Sequence, residues 1–178
     1  MSNYKIVFTG PVGAGKTTAI SSLSDEAPLL TDKLASDMTK NRKKSTTVAM
    51  DYGTIQLADG ELIQLYGTPG QERFDFMWQI LTKGGIGLVL LLDNSRDNPF
   101  QDLDFFLEAF KGFIAETTVV IGVTQFDVSN KPTIEEYRIA LRERELNAPV
   151  FEVDARERKD VSLLIQSLLY TLDPVINE

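Results

Sequence analysis

The sequence of 178 residues contains no cysteine and no histidine. Without cysteine, disulfides, thiolate metal sites and the acceptors for prenylation and palmitoylation are excluded. Without histidine, imidazole acid–base catalysis and histidine metal sites are excluded as well. No apolar run approaches membrane length, and the first residues show neither a signal-peptide pattern nor the glycine needed for myristoylation. We therefore expect a cytoplasmic protein without a membrane anchor.

Positive charge is also scarce. The chain has 18 lysines and arginines against 26 acidic residues, which gives a net charge of −8 and an isoelectric point near 4.7. This balance argues against nucleic acid or an acidic membrane surface as a general partner, although the cluster Lys-Asn-Arg-Lys-Lys at residues 40–44 departs from it. The length suits one ordinary domain and no repeat or linker divides it, so we expect a single domain over residues 1–178.

A glycine-rich loop follows the first apolar run. Residues 10–17 read Gly-Pro-Val-Gly-Ala-Gly-Lys-Thr, the pattern Gly-x-x-x-x-Gly-Lys-Thr, and a helix-like stretch comes next. The glycines let successive backbone N–H groups face inward, and with the helix N-terminus they make an anion site. Lys16 adds a charge for the β- and γ-phosphates, and Thr17 adds a hydroxyl ligand for Mg²⁺. The pattern predicts a phosphate-binding loop.

Strand-like and helix-like runs alternate along the chain, which predicts right-handed βαβ units and an α/β fold. Asp59-Gly60, between the second and third runs, is a hairpin signal, so these two strands are expected to be antiparallel neighbours. The expected architecture is a three-layer αβα sandwich with a mostly parallel six-stranded sheet and one antiparallel edge strand. Its predicted strands are residues 4–9, 47–57, 61–66, 86–92, 117–123 and 149–153.

The helix predicted over residues 72–83 carries two apolar faces. Phe76 and Ile80 share one of them, and an exposed apolar pair is typical of a partner-binding patch. The other face has the spacing i, i+3, i+4, i+7 of core packing and consists of Phe74, Met77, Trp78 and Leu81.

Capping patterns predict where two further helices begin. Asn98, followed by Pro99 and Gln101, predicts one helix start. Thr133 with Glu136 predicts another, for a charged helix that runs through about residue 146.

The polar motifs all fall at the ends of predicted strands, at residues 10–17, 67–71, 124–127 and 154–156. Ligands of such sheets bind beyond the carboxyl ends of the strands, so these motifs are expected to converge on one edge.

The order and spacing of these motifs resemble the Ras-like small GTPases over nearly the whole chain. Residues 46–53 (Thr-Thr-Val-Ala-Met-Asp-Tyr-Gly) and 67–74 (Gly-Thr-Pro-Gly-Gln-Glu-Arg-Phe) look most like the bacterial MglA-type branch, whose members work with roadblock-domain regulators. The resemblance implies a P-loop NTPase fold, GTP or GDP as ligand and Mg²⁺ as cofactor. It also implies a roadblock-type regulator and an effector at the two switch segments, including Phe76 and Ile80.

The resemblance further implies roles for single residues. Thr47 would complete the Mg²⁺ shell with Thr17, and Gln71 would orient the attacking water beside Lys16. Asp127 would select the base, because its carboxylate can accept two parallel hydrogen bonds from the ring N–H and exocyclic amine of guanine, which adenine does not offer in that arrangement. Arg42 is either an arginine finger in cis or part of a solvated basic loop. The implied nucleotide-binding residues are Gly10, Pro11, Val12, Gly13, Ala14, Gly15, Lys16, Thr17, Thr18, Thr47, Gly70, Thr124, Gln125, Asp127, Asp154, Ala155 and Arg156.

Several positions depart from the family pattern. Thr124 and Gln125 replace the Asn-Lys that normally precedes the base-reading aspartate, and Asp154 replaces a serine. Gly67 stands where the third strand normally carries an aspartate for Mg²⁺, which leaves Asp51 as a hypothetical substitute.

Two further residues bear on the expected chemistry. Val12 replaces a glycine of the loop, and its branched side chain predicts slow intrinsic hydrolysis. Asp93 also ends an apolar run and can be read as a Walker B aspartate, but we favour a structural role for it.

The expected function is a small GTPase that acts as a GTP/GDP switch and hydrolyses GTP to GDP and phosphate slowly unless a regulator assists. A nucleotide-dependent scaffold without turnover remains an alternative. An ATP-dependent small-molecule kinase is another, and its lid would have to come from Arg138, Arg142 and Arg144.

Overall fold

The computed structural model describes residues 3–29, 50–70 and 75–172. Within these residues six strands form one sheet in the order β2-β3-β1-β4-β5-β6. β2 is antiparallel to β3, and every other neighbouring pair is parallel. The strands are β1 Asn3–Thr9, β2 Asp51–Gln56, β3 Leu62–Gly67, β4 Gly87–Asp93, β5 Val119–Thr124 and β6 Val150–Glu152. The predicted mostly parallel sheet with one antiparallel edge strand is confirmed.

Six helices accompany the strands in the described residues. Two of them, α1 and α6, pack on one face of the sheet, and the others pack on the opposite face. The helices are α1 Lys16–Leu23, α2 Asp75–Thr82, α3 Pro99–Ala109, α4 Lys111–Glu116, α5 Ile134–Glu143 and α6 Arg158–Leu172. None of them is both long and apolar enough to cross a lipid bilayer.

The central strand β4 shows why the core divides into two layers. Side chains alternate across a strand, so Val89 and Leu91 join the cluster under α1 and α6. Leu88 and Leu90 face the other way and join the cluster around Trp78. Both faces of β4 are therefore buried, which explains its continuous apolar sequence.

The predicted hairpin is present. β2 pairs with β3 from Asp51 opposite Gly67 to Gln56 opposite Leu62, and the turn contains Gly60 at φ +88°. The predicted strand over 47–57 is described only from residue 50 onward, and β2 begins at Asp51. The hairpin places the first residue of β2 beside the last residue of β3, at the carboxyl edge of the sheet.

The predicted helix start at Asn98 is confirmed, because the Asn98 side chain accepts a hydrogen bond from the Gln101 N–H. This helix ends at Ala109, and Phe110, which is buried and stacked on Trp78, separates it from a second short helix that starts at Lys111. The helix predicted through about residue 146 ends at Glu143, since Glu145 takes the left-handed φ of +56°. The predicted capping box that begins at Thr133 is confirmed.

The two faces of α2 are separated as predicted. Trp78 and Leu81 are buried, whereas Phe76 and Ile80 are 54% and 62% exposed. Phe74 lies outside the described residues. The apolar pair on α2 is therefore available at the surface.

Candidate functional site

The loop between β1 and α1 touches the central strand at its first residue. Gly10 has φ +143°, and a Cβ atom built there would lie 2.0 Å from the backbone oxygen of Leu91 in β4. Gly13 and Gly15 also have positive φ values of +85° and +97°. Only glycine can follow this path without strain, so the loop wraps with its backbone N–H groups close to the space that it encloses.

Lys16, the first residue of α1, is buried within the loop and only 8% exposed. Its Nζ donates hydrogen bonds to the backbone oxygens of Gly10 at 2.7 Å and Pro11 at 2.8 Å. Burial lowers the pKa of Lys16 to about 8, against the opposing influence of the Asp51 carboxylate. The loop therefore holds a partly desolvated ammonium group ready to meet an anion.

A cavity of about 340 Å³ opens beside this lysine. Gly70 borders it so closely that a Cβ atom there would lie 2.7 Å from the Val12 nitrogen and 3.0 Å from Lys16 Nζ. The segment before Gly70 is anchored by Thr68, whose hydroxyl donates to that of Thr9 at 2.8 Å. The lining residues are Val12, Gly13, Gly15, Lys16, Thr17, Thr18, Asp51, Thr68, Pro69 and Gly70.

Asp51 brings a carboxylate to the same cavity. The Thr17 hydroxyl donates a short hydrogen bond to Asp51 Oδ2. In the antiparallel register Asp51 faces Gly67, and a Cβ atom built at Gly67 would lie 3.2 Å from the Asp51 Cβ. Two hard oxygen groups, a hydroxyl and a carboxylate, thus meet beside the phosphate loop. The described residues contain no group of three or more carboxylates arranged for a metal ion.

A second cavity of about 460 Å³ lies on the other side of Gly15 and Thr18, which line both cavities. The two cavities are therefore neighbours on either side of the start of α1. The second cavity is lined by Ala14, Gly15, Thr18, Thr124, Gln125, Phe126, Asp127, Glu152, Val153, Asp154, Ala155, Arg156 and Asp160. The motifs predicted at residues 124–127 and 154–156 therefore do converge with the phosphate loop.

Thr124 connects this second cavity to the loop. Its buried hydroxyl is within hydrogen-bond distance of the backbone oxygens of Ala14, at 2.9 Å, and Leu92, at 3.1 Å. The residue that replaces the family's asparagine thus ties β5 to the phosphate loop and to β4. Gln125 follows in the left-handed region at φ +65° and turns the chain along the cavity wall.

Three charged side chains meet at the mouth of the second cavity. The Arg156 guanidinium binds both carboxylate oxygens of Asp154, with Nε–Oδ1 at 2.8 Å and Nη2–Oδ2 at 2.6 Å. The same Nη2 lies 3.7 Å from Asp127 Oδ2. Hydrogen bonds from Arg156 lower the pKa of Asp154 to about 2, so this carboxylate is ionised at neutral pH. The cavity mouth therefore presents two carboxylates with an arginine between them.

Three predicted site residues, Thr47, Gln71 and Arg42, are outside the described residues. Asp93 accepts hydrogen bonds from the backbone N–H and hydroxyl of Ser95, which is a structural turn role as favoured. The three arginines considered for a kinase lid line neither of the two cavities in the described structure. Arg138 and Arg142 pair with Glu135, and Arg144 pairs with Asp104.

Four residues of the second cavity were not predicted from the sequence. Phe126, Glu152, Val153 and Asp160 also line the second cavity. Asp160 accepts a hydrogen bond from the Asp154 N–H at 2.9 Å and so fixes the loop after β6. The sequence signal for Asp160 was its position, six residues after Asp154 and in the first turn of a helix.

A sequence-family model described as "Conserved hypothetical ATP binding protein" matches residues 26–175. That span takes in five of the six strands and most of the second cavity, and it begins after the phosphate loop. The chain belongs to this family. The glycine-rich loop at residues 10–17 precedes the span that matches this ATP-binding protein family.

Curated relatives of this family member include an uncharacterized protein of Methanocaldococcus jannaschii, 35% identical over 98 residues. That alignment covers 55% of the chain and 56% of the archaeal protein, so the chain spans just over half of that relative. The Ras-related protein RABA6b of Arabidopsis thaliana is 24% identical over 98% of the chain and 73% of its own length. The Ras-related protein Rab-13 of Mesocricetus auratus is 23% identical over 93% of the chain and 77% of its own length.

The fold and these relatives agree. A mostly parallel six-stranded sheet with one antiparallel pair is the Ras-like P-loop NTPase fold. The Ras-related proteins and the ATP-binding family together support a small GTPase-like, nucleotide-binding protein in the Ras-like P-loop superfamily.

Proposed function

We propose that the chain is a small GTPase that binds GTP and GDP and acts as a molecular switch. The observation that carries this proposal is the pair of neighbouring cavities. One has a buried lysine and the phosphate loop, and the other has the Asp127 carboxylate at its mouth. Gly15 and Thr18 line both cavities, so a nucleotide that passes over them would have its phosphates in one cavity and its base in the other.

The phosphate end supplies the charges that a polyphosphate needs. Loop N–H groups and the N-terminus of α1 would bind the phosphate oxygens, and Lys16 would exchange its two carbonyl partners for the β- and γ-phosphates. Gly70 borders the same cavity and would donate its N–H to the γ-phosphate. A side chain at position 70 would clash with the phosphate loop, which explains why this residue is glycine.

The residues at this end also fit Mg²⁺, which prefers a few protein oxygens together with phosphates and water. Thr17 would be a direct ligand and Thr47 would complete the shell. Asp51 would replace the Mg²⁺-binding aspartate that is absent at Gly67 of β3. The two residues are opposite each other in the sheet, and the Asp51 carboxylate already contacts Thr17. When bound, Mg²⁺ would neutralise charge on the β- and γ-phosphates.

Hydrolysis in this proposal depends on positioning. Gln71 would hold the attacking water, and Lys16 would stabilise the charge on the transferred phosphoryl group. Val12 projects from the loop beside Gly70 and is 58% exposed. A branched side chain there narrows the approach to the γ-phosphate, so intrinsic turnover is expected to be slow. Arg42 would supply an additional positive charge when a regulator brings it to the γ-phosphate.

The proposed partners follow from the resemblance to the MglA-type branch and from the exposed apolar pair on α2. A roadblock-type regulator would promote turnover, and an effector would bind the switch surface that includes Phe76 and Ile80. Phe76 and Ile80 lie six and ten residues after Gly70 in sequence, and in this proposal a change at Gly70 on binding of the γ-phosphate would alter the surface that they form. In this proposal the switch works in the cytoplasm.

The description of the matching family names ATP, and it therefore favours adenine over guanine as the base. Asp127 argues for guanine, since a carboxylate facing the adenine edge would lack a matching pair of donors. A scaffold that binds guanine nucleotides without turnover is the second candidate, and it rests on Val12 and Gly67.

Competition of fluorescent GDP by unlabelled nucleotides tests the proposal. We expect GDP and GTP to displace the probe at least 100-fold more effectively than ADP and ATP, which corresponds to about 2.7 kcal/mol. Equal or stronger displacement by ATP would overturn the guanine assignment in favour of the ATP-binding alternative. Phosphate release from GTP, with and without a roadblock-domain protein, then separates a switch from a scaffold.

The role of Asp51 gives a separate prediction. Asp51→Asn removes the charge beside Thr17, so the gain in GDP affinity on replacing EDTA by Mg²⁺ is expected to shrink about tenfold. Affinity in EDTA should stay unchanged or improve, because a negative charge near the phosphates has been removed. Asp59→Asn, the same change at the turn of the same hairpin, is the control. An unchanged Mg²⁺ dependence in Asp51→Asn would exclude Asp51 from the metal shell.

A further inference from the structure

The loop that carries Asp127 is held to the sheet by one buried side chain from the neighbouring strand. Asn94 directly follows β4 and is only 1% exposed. Its Nδ2 group donates to the backbone oxygens of Ser129 at 2.7 Å and Pro132 at 3.1 Å. Its backbone N–H donates to the oxygen of Thr124 at 3.0 Å. A single asparagine therefore contacts the segment both before and after Asp127.

A buried tyrosine fixes the orientation of this asparagine. Tyr137 on α5 is fully buried, and its hydroxyl donates to Asn94 Oδ1 at 2.8 Å. Burial raises the pKa of Tyr137, so the hydroxyl remains a proton donor throughout the physiological range. The two carbonyl partners of Asn94 can only accept, which requires the NH₂ group to face them and the amide oxygen to face Tyr137.

Within the loop the backbone closes tightly around Asp127. The N–H groups of Val128 and Ser129 both donate to the Gln125 oxygen, at 3.1 and 3.0 Å. The turn is therefore anchored at its start through Thr124 and at its end through Ser129. Asp127 lies between these anchors, and both of them lead to Asn94.

We infer that Asn94 and Tyr137 are positioning residues for base selectivity and that they act by holding the Asp127 turn at a fixed place on the cavity wall. This inference rests on the proposed function, because it concerns the base that Asp127 reads. Buried polar networks tolerate partial loss poorly, since a removed partner leaves the others unsatisfied. Loosening the turn should therefore weaken discrimination between bases more than it weakens phosphate binding.

The test compares Tyr137→Phe, which leaves Asn94 Oδ1 without its donor, and Asn94→Ala, which removes both bonds to the loop. Affinities for GDP, ADP and inorganic pyrophosphate are measured for each folded variant by competition with fluorescent GDP. We expect the preference for GDP over ADP to fall about tenfold in Tyr137→Phe and further in Asn94→Ala. Affinity for pyrophosphate, which reaches only the phosphate loop, should stay within about twofold of the original protein.

Tyr66→Phe is the matched control, because it deletes the same hydroxyl from a half-buried tyrosine on β3. It should leave the GDP/ADP ratio unchanged. A parallel fall in GDP, ADP and pyrophosphate affinity would show a general structural role, and an unchanged ratio in both test variants would also overturn the inference. If Tyr137→Phe does not fold, Asn94→Ser provides the same comparison.

The two proposals fail in different ways. If the unmodified protein shows no preference for GDP over ADP, the guanine proposal itself is wrong and so is the inference that rests on it. If the unmodified protein prefers GDP and the variants keep that preference, only the roles of Asn94 and Tyr137 are wrong.

Discussion

Asp127→Asn is expected to lower the affinity for GDP by about 100-fold and to raise the affinity for xanthosine diphosphate by at least tenfold. In the proposed complex the carboxylate of Asp127 would accept from two guanine donors, and the amide of asparagine replaces one acceptor by a donor. Xanthine carries an oxygen where guanine carries its exocyclic amine, so the new donor finds an acceptor there. Displacement of fluorescent GDP or fluorescent xanthosine diphosphate measures both affinities.

The neighbouring charges define the control for that experiment. Glu152→Gln removes one negative charge from the wall of the same cavity. A general electrostatic effect of lost negative charge would change GDP affinity alike in both variants. A fall confined to Asp127→Asn, together with the gain for xanthosine diphosphate, identifies direct pairing with the base. Loss of GDP affinity without that gain would contradict base reading by Asp127.

Lys16→Met is expected to reduce affinity for GDP and GTP by about 1,000-fold, which corresponds to about 4 kcal/mol. The methionine keeps the length of the side chain and removes the ammonium that is buried against the loop. Isothermal titration calorimetry measures the loss, and thermal unfolding without nucleotide shows whether the variant is folded. A loss smaller than about tenfold would mean that Lys16 does not face the phosphates.

The pKa of Lys16 adds a dependence on pH to the same experiment. In the nucleotide-free protein this pKa is lowered to about 8, and phosphate oxygens beside the ammonium would raise it again. The bound state then holds the proton more tightly, so binding takes up a proton and weakens as the pH rises. From pH 7 to pH 9 the affinity should fall about tenfold through this group. The same series on Lys16→Met gives the reference profile, and two parallel profiles would contradict the assignment.

The sheet and the location of the site could be predicted from the sequence, because short local sequence patterns determine both. The continuous apolar run that becomes β4 is buried on both faces, and Asp59-Gly60 forms the turn between β2 and β3 as predicted. The glycine and lysine pattern at residues 10–17 indicated the phosphate loop. Because parallel strands end at the same edge, the other motifs had to lie near it.

The internal bonds of the site could not be predicted in the same way, because they join residues far apart in sequence. The Thr124 hydroxyl approaches an oxygen 110 residues earlier in the chain, and Tyr137 meets Asn94 across 43 residues. Neither residue type specifies its partner. The pairing of Arg156 with Asp154 was missed for a different reason, because the two residues are neighbours in sequence but the motif had suggested a contact with the nucleotide for both.

The tryptophan of α2 gives the molecule an optical label of its own. Trp78 is the single tryptophan of the chain, and its indole N–H donates to the Pro69 oxygen at 3.0 Å. The next residue, Gly70, lies against Val12 and the Lys16 ammonium. Indole emission depends on the polarity and hydrogen bonding around the ring, so a displacement of Gly70 is expected to change the emission of this single tryptophan. Occupancy of the phosphate cavity can thus be followed in real time by the unlabelled protein's own fluorescence.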